Sequence, residues 1–311
     1  MTRPRGLTAV EGIRVGHAEV PGGGSGCTVI LGPFRARAEL PGMASGTREI
    51  PVLDEGHVTP TADALLFTGG SAFGLAAADG VMRWLEARGE GFPTGVAPVP
   101  IVPTAVLFDL SPGRGRPGPD EGERACEAAG VGPVARGRVG AGVGARVGKL
   151  LGPDHSVPGG VGSSSGTFGG WNVAALVVVN ALGEVVDREG RVVAGPQGTR
   201  ALLEEGRTGT GPSGEFPDFR EGENTTLCVV ATDAPLSFRD LGRVLRVAAT
   251  ALPRRISPVF TPFDGDVVFG LVPEGDPQPM SSGEVLALGV GLREELEEAI
   301  LDAVDSGREW T

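Results

Sequence analysis

The sequence predicts an α/β or α+β layered domain, and three observations carry that expectation. Apolar β-branched runs and helix-period segments mix along the whole chain instead of separating into an all-strand and an all-helix half. Hydrophobic residues make up 40% and charged residues 21% of the 311 residues, as in a chain that buries a core. The 53 Gly and 26 Pro are numerous, but at this apolar content they read as turns, positive φ and close backbone approach, not as disorder.

The elements follow in chain order. Residues 27–31 read as a strand, and 41–49 (PGMASGTRE) as a Gly-rich loop. Residues 64–68 form a short apolar strand that runs through Gly69-Gly70-Ser71 into a helix over 72–88, where Leu75, Ala78, Val81, Met82 and Leu85 recur at helical spacing. Residues 101–110 read as an apolar strand pair, 111–120 as a loop and 121–129 as a short helix. The stretch 138–152 alternates Gly with small residues, which suits strands packed closely or approached by a ligand. Residues 159–170 read as a Gly/Ser loop, and 171–182 as the strongest strand of the chain. Residues 206–223 are polar, Gly/Pro-rich and non-periodic, and make the best linker. A strand (226–231), a helix (238–252), a strand (266–271) and a helix with an acidic face (282–304) complete the chain. No internal repeat is evident.

Bulk properties exclude several functions. A net charge of −12 and a pI near 4.8 argue against nucleic-acid binding, which needs a basic face. The longest apolar run, Val173 to Val179, falls far short of the roughly 20 residues of a membrane helix. The N-terminus has no apolar signal core, so a cytoplasmic protein is expected. Cys27, Cys126 and Cys228 are too scattered for a disulfide framework or a zinc set, and His17, His57 and His155 lack ligand spacing, so no metal is expected.

Three Gly-rich segments imitate known motifs. Gly162 to Gly166 has the letters of a G-x-S-x-G elbow, but no His follows it. Gly140-x-Gly142-x-x-Ala145 lacks the helix and the acidic residue of a dinucleotide site, and Gly148-Lys149 lacks the first Gly and the Ser/Thr of a phosphate loop. A hydrolase without a usable His needs a base other than imidazole.

Residues 223–234, ENTTLCVVATDA, offer one. An Asn-Thr pair closes the polar linker and opens a buried strand, the layout of an N-terminal-nucleophile precursor. Cleavage between Asn224 and Thr225 would free an α-amine with a pKa of about 7.7–8.0, a general base at neutral pH. On those residues alone an ordinary β-branched strand start is the simpler account.

Three segments resemble the L-aminopeptidase/D-amino-acid esterase-amidase family, the DmpA-like or P1-type peptidases. They are GIRVGHAEV with GSGCTVIL, the run LLFTGGSAFGLAAADGVMRWLEARGEGF, and NTTLCVVATDAPL paired with TPFDGDVVFGL. The resemblance extends from Gly12 to about Leu271 and, within the family, is strongest toward the nylon-oligomer (6-aminohexanoate-oligomer) hydrolases. It implies a layered α-β-β-α core in a single domain, residues 1–311, self-cleaved into residues 1–224 and 225–311. It also implies a homo-oligomer, a tetramer of processed protomers. The nylon-oligomer branch uses a Thr, a Lys, an Asn and two Asp one residue apart, which match Thr225, Lys149, Asn180, Asp264 and Asp266. In the peptidase branch a Ser and a Glu occupy the two Asp positions and a Tyr supports the substrate, whereas this chain has no Tyr.

Each residue also has a plainer reading. Thr226 competes with Thr225 for the nucleophile, and Asn224 before Thr225 favours the latter. Asn180 is either a strand-end turn residue or an oxyanion donor. Lys149 is the sole Lys among 27 basic residues, so a role that Arg cannot fill is suggested. Asp264 and Asp266 flank a Gly and fit a simple turn. As catalytic groups they would hold the new α-ammonium, with one pKa pushed up by the other. Gly70, Ser71 and Asp109 are weaker substrate-binding residues, and Arg48 is a loop-edge charge. The expectation is thus a self-processing Thr amidohydrolase or aminopeptidase acting on a small amide or peptide, with no cofactor, nucleic acid or membrane. The alternative is a non-catalytic Gly-loop protein that binds a nucleotide or other small molecule and stays uncleaved.

Overall fold

The computed structural model describes residues 6–59, 61–204 and 224–305. Its main sheet has nine strands. They are β1 (Arg14–Glu19), β2 (Gly26–Glu39), β3 (Gly46–Arg48), β4 (Ala62–Thr68), β5 (Thr104–Val106), β6 (Gly160–Phe168), β7 (Trp171–Asn180), β8 (Thr225–Thr232) and β9 (Val267–Pro273). Four longer helices cover them: α1 (Ala77–Glu86), α2 (Pro119–Glu127), α3 (Phe238–Ala249) and α4 (Ser282–Asp305). The strand order is β6-β7-β8-β9-β2-β4-β5-β3, with β1 also paired to β2. The β8–β9 and β4–β5 pairs are parallel and the others antiparallel.

Strand β2 makes one hydrogen-bonded sheet into two layers. Its first half pairs with β1 and β4, its second half with β9, and the register shifts between Leu31 and Phe34. The two halves of the sheet then face each other. Strand alternation sends successive side chains into different cores. Along β7, Ala174, Leu176 and Val178 enter the central core between the sheet halves. Val173, Ala175, Val177 and Val179 instead meet the layer of α3 and α4. On the other side Val29, Leu31, Ala64 and Leu66 meet α1 and α2. Phe67 and Phe269 touch across the centre, ring centroids 5.9 Å apart. The result is the expected α-β-β-α layering, and it explains why β7 and β8 read as continuous apolar runs.

Several sequence expectations need correction. The 72–88 helix begins as a 3-10 turn (Ser71–Ala76) before α1, and the 41–49 loop contains β3. The strand pair over 101–110 reduces to β5. The stretch 138–152 is mainly two 3-10 turns, Gly140–Gly142 and Lys149–Leu151, because Gly140 and Gly148 take positive φ where a strand cannot continue. Its glycines are filled from outside. A Cβ on Gly142 would lie 2.6 Å from Val161 N, and one on Gly144 2.5 Å from the Asp109 side chain. Close packing therefore accounts for the dinucleotide-like and phosphate-loop-like spellings. The linker over 206–223 lies outside the described residues.

The Gly/Ser loop over 159–170 is in fact strand β6. Its small residues exist because α4 lies directly on it. A Cβ on Gly162 would stand 2.0 Å from Ala299 O and 2.5 Å from Ala303 N. Ser164, at the nucleophile position of the false elbow, donates its hydroxyl to Glu295 of α4, and Ser163 Oγ donates to Ala175 O at 2.6 Å, so both hydroxyls are spent on packing. Gly162→Ala is expected to push α4 off the sheet and cost about 1–3 kcal/mol, the range for overpacking. A urea melt checks this, and an unchanged midpoint refutes it.

Candidate active site

The ends of three neighbouring strands converge. Thr225 opens β8 opposite Asn180, the last residue of β7. Asp264 and Asp266 lead into β9, and Asn224 bridges Asp264 in parallel register. All five side chains are buried. The Thr225 hydroxyl donates to Asn224 O at 2.6 Å, and Gly265 N–H donates to the same oxygen at 2.7 Å. The carbonyl between Asn224 and Thr225 is thus held from two sides.

The turn between the aspartates is clamped. Gly42 N–H donates to Asp266 O at 3.2 Å and Ala44 N–H to Asp264 O at 2.9 Å. A Cβ on Gly265 would meet Ala44 O and Thr225 Oγ1, each at 2.8 Å, so only Gly brings its N–H this close. Asp266 Oδ1 accepts from Thr226 N–H at 2.6 Å, and Asp264 Oδ2 accepts from Thr261 N–H at 2.9 Å and Thr261 Oγ1 at 2.6 Å. Burial, and then the Asp264 charge, push the Asp266 carboxyl up to about 7. Burial also raises Asp264, against the pull of its Thr261 hydrogen bonds and the Lys149 ammonium. The pattern matches the sequence expectation that one carboxylate pushes the other upward.

Lys149 sits on the 3-10 turn that Gly148 starts at φ 73°. Its Nζ donates to Asn180 Oδ1 at 3.0 Å, and Arg146 N–H donates to that oxygen at the same distance. Asn180 Nδ2 donates to Phe108 O at 3.1 Å. The Asn180 amide is therefore oriented with its oxygen toward the ammonium. Asp109 joins the edge of the group, because Lys149 acts on its carboxyl while burial raises it. Its Oδ1 accepts from Gly70 N–H at 2.7 Å. The Gly70 N–H is thus spent on Asp109, not aimed at an open anion site. Ser71, at φ 52°, donates its N–H to Leu107 O. Arg48 pairs instead with Asp79, at 2.6 Å. Sequence reasoning missed Gly265, since a backbone N–H leaves no trace in residue type beyond the Gly itself.

Cavities of about 550 Å³ (at Arg14, Asp63 and Glu90) and about 370 Å³ (at Asp187, Glu298 and Asp302) are lined by other residues. Among the described residues no group of three or more His, Cys, Asp or Glu could hold a metal ion, and no helix is long and apolar enough to cross a membrane.

Comparisons with known proteins agree with this layout. The solved L-aminopeptidase D-Ala-esterase/amidase of Ochrobactrum anthropi, described as a variant of the Ntn hydrolase fold, superposes with a TM-score of 0.72 at 20% identity. The superposition covers 97% of this chain and 86% of that one. Layering and topology thus define a protein of the Ntn-hydrolase fold. The chain belongs to peptidase family S58, whose family model matches residues 6–311, and it is a hydrolase of peptide or amide bonds. It is 42% identical over 301 residues to an uncharacterized aminopeptidase of Mycobacterium tuberculosis, covering 91% of this chain and 85% of the relative. It is also 29% identical over 312 residues to the 6-aminohexanoate-oligomer endohydrolase of Paenarthrobacter ureafaciens, covering 94% and 84%.

Proposed function

We propose that the protein is a self-processing Thr amidohydrolase that cuts its own Asn224–Thr225 bond and then cleaves amides or short peptides through an acyl-enzyme on Thr225. The observation that carries this reading is the scissile carbonyl, which accepts from the Thr225 hydroxyl and from Gly265 N–H together. Thr226 has no such relation: its N–H and its side chain turn to the Asp266 carboxyl, not to the Asn224 carbonyl.

In maturation Thr225 Oγ1 attacks the Asn224 carbonyl carbon, the C–N bond breaks, and the hydroxyl proton passes to the Thr225 nitrogen. Water then hydrolyses the ester. In turnover the freed α-amine takes the hydroxyl proton and returns it to the departing amine. Gly265 N–H stabilises the oxyanion, with Lys149 and Asn180 beside it. Asp264 and Asp266 hold the new α-ammonium. Asp109 lines the substrate side. The relatives' printed activities support an aminopeptidase or an oligoamide hydrolase. Cytoplasmic location and a tetramer of two-chain protomers complete the proposal.

The test is a denaturing gel of purified protein with N-terminal sequencing. Two bands, the smaller beginning at Thr225, are expected, and one band after prolonged incubation overturns the reading. A second experiment addresses Lys149. A guanidinium cannot replace a compact ammonium bonded to Asn180. Lys149→Arg is expected to lower kcat at least about tenfold, the usual scale for a lost charge-assisted hydrogen bond. Unchanged processing and turnover would remove Lys149 from the mechanism.

A further inference from the structure

The loop 111–118 (SPGRGRPG) runs along the edge of the site. Its end is fixed. Pro117 is buried, and Gly118 N–H donates to Glu121 Oε2 at 2.8 Å as α2 begins. A Cβ on Gly70, at φ 80°, would lie 3.1 Å from Pro117 Cδ and 3.3 Å from Arg116 Cβ. The N–H of that same Gly70 holds Asp109, and Asp109 follows Phe108, whose carbonyl takes the Asn180 amide. Asn180 in turn lies opposite Thr225. Arg116 is thus rooted at the rim of the catalytic group, on the Asp109 side.

The Arg116 guanidinium lies over the Phe73 ring, 4.0 Å from its centroid, and Phe73 is 60% exposed. Stacking fixes the plane of a guanidinium and leaves its N–H edge free for a planar acceptor. Arg114, two residues earlier, lies across Gly24, where a Cβ would stand 2.5 Å from its Nη1. A Cβ on Gly144 would meet both Gly24 O, at 2.6 Å, and the Asp109 side chain, at 2.5 Å, so this second cation borders the same edge. Among the described residues neither Arg114 nor Arg116 has a carboxylate partner. In a chain of net charge −12 acidic partners are plentiful, and neither arginine takes one.

Resting on the amidohydrolase reading above, we infer that Arg116, with Arg114 beside it, binds the free carboxylate on the leaving part of the substrate. In any peptide or ω-amino acid oligomer the acyl part lies toward the amino end, so the terminal carboxylate departs with the amine. A guanidinium fork matches that carboxylate with two parallel hydrogen bonds. Each added residue moves the carboxylate about 3.3–3.6 Å along an extended chain, so a fixed guanidinium serves one span only. The preferred substrate is therefore a short amide with its carboxylate close to the cut bond, not an amidated or long chain.

The experiment measures kcat and KM of processed wild-type protein on Ala-Ala and Ala-Ala-Ala, each as the free acid and as the C-terminal amide. For at least one length the acid is expected to exceed the amide in kcat/KM by about fivefold or more, mainly through KM. That advantage should shrink in about 0.5 M salt, because the guanidinium is exposed. Arg116→Gln is expected to bring the acid-to-amide ratio to about one. Arg116→Lys keeps the charge and loses the fork, so its ratio should fall between the two. The ratio is internal to each protein, so a loss of folded enzyme does not move it. A wild-type ratio near one at both lengths overturns the inference, and so does a ratio that survives Arg116→Gln. Cleavage of none of the four by protein with Thr225 at its N-terminus overturns the amidohydrolase reading instead.

Discussion

Thr225→Ala is expected to leave a single uncut chain and to abolish amide hydrolysis. The loss should be on the order of 10⁴-fold or more, the scale seen when a nucleophile is removed. The variant removes the atom that donates to Asn224 O but leaves Gly265 N–H on that carbonyl, so the site keeps its shape and loses its reactant. Thr225→Ser keeps a hydroxyl and should still process, only more slowly, since it loses the methyl that restricts the rotamer in a buried site. Thr226→Ala separates the neighbouring candidate. It keeps the N–H that Asp266 accepts and deletes a hydroxyl that faces Asp266 and not the Asn224 carbonyl, so cleavage should continue at Thr225. Sequencing of the small chain decides between them. A Thr225→Ala protein that still splits after Asn224, or that still turns over substrate, would end the proposal.

Much of the fold was legible because strand alternation and helix period are written in apolar residues. The run Trp171 to Leu182 led straight to β7, and 282–304 to α4. Legibility failed where small residues serve a neighbour instead of their own element. Gly162 and Gly166 read as loop because the reason for them, α4 pressing on β6, lies more than a hundred residues away. Gly140 and Gly148 read as strand because a positive φ is invisible in composition.

The site divides the same way. Nothing local distinguishes Asn180 from a strand-end turn or Asp264-Gly265-Asp266 from a hairpin. Family resemblance brought those positions forward, and the geometry then put Thr225, Asn180 and the two Asp at adjoining strand ends, with Lys149 reaching Asn180 from a 3-10 turn. The contacts that carry most of the argument, Gly265 N–H on Asn224 O and Gly42 against the aspartate turn, run through backbone atoms. No residue alphabet encodes them.

The two aspartates should also make the uncut chain lose stability as pH rises. Asp266 moves from 3.8 to about 7, first by burial and then by Asp264, and a rise of that size corresponds to about 4 kcal/mol. The sign follows from proton counting. Between those values the folded chain holds a proton that the unfolded chain has released. Stability from this group is therefore full below the unfolded pKa and is lost as pH climbs through about 7. His17 acts in the other direction. Burial lowers it from 6.5 to about 4, so folding loses stability as pH falls across that interval. Above about 6.5 His17 is neutral in both states and no longer offsets Asp266. A Thr225→Ala protein, locked uncut, should therefore lose stability in urea melts as pH rises from about 6.5 through about 7, and level off above that. Adding Asp266→Asn should flatten that slope. Cleavage should weaken it too, because it creates an ammonium at Thr225 beside both carboxylates and lets Asp266 ionise at lower pH. Repulsion built into the precursor is thus relieved by the cut, which favours the processed state thermodynamically as well as chemically. A slope that persists in the Asp266→Asn double variant would place the titrating group elsewhere and remove this driving force.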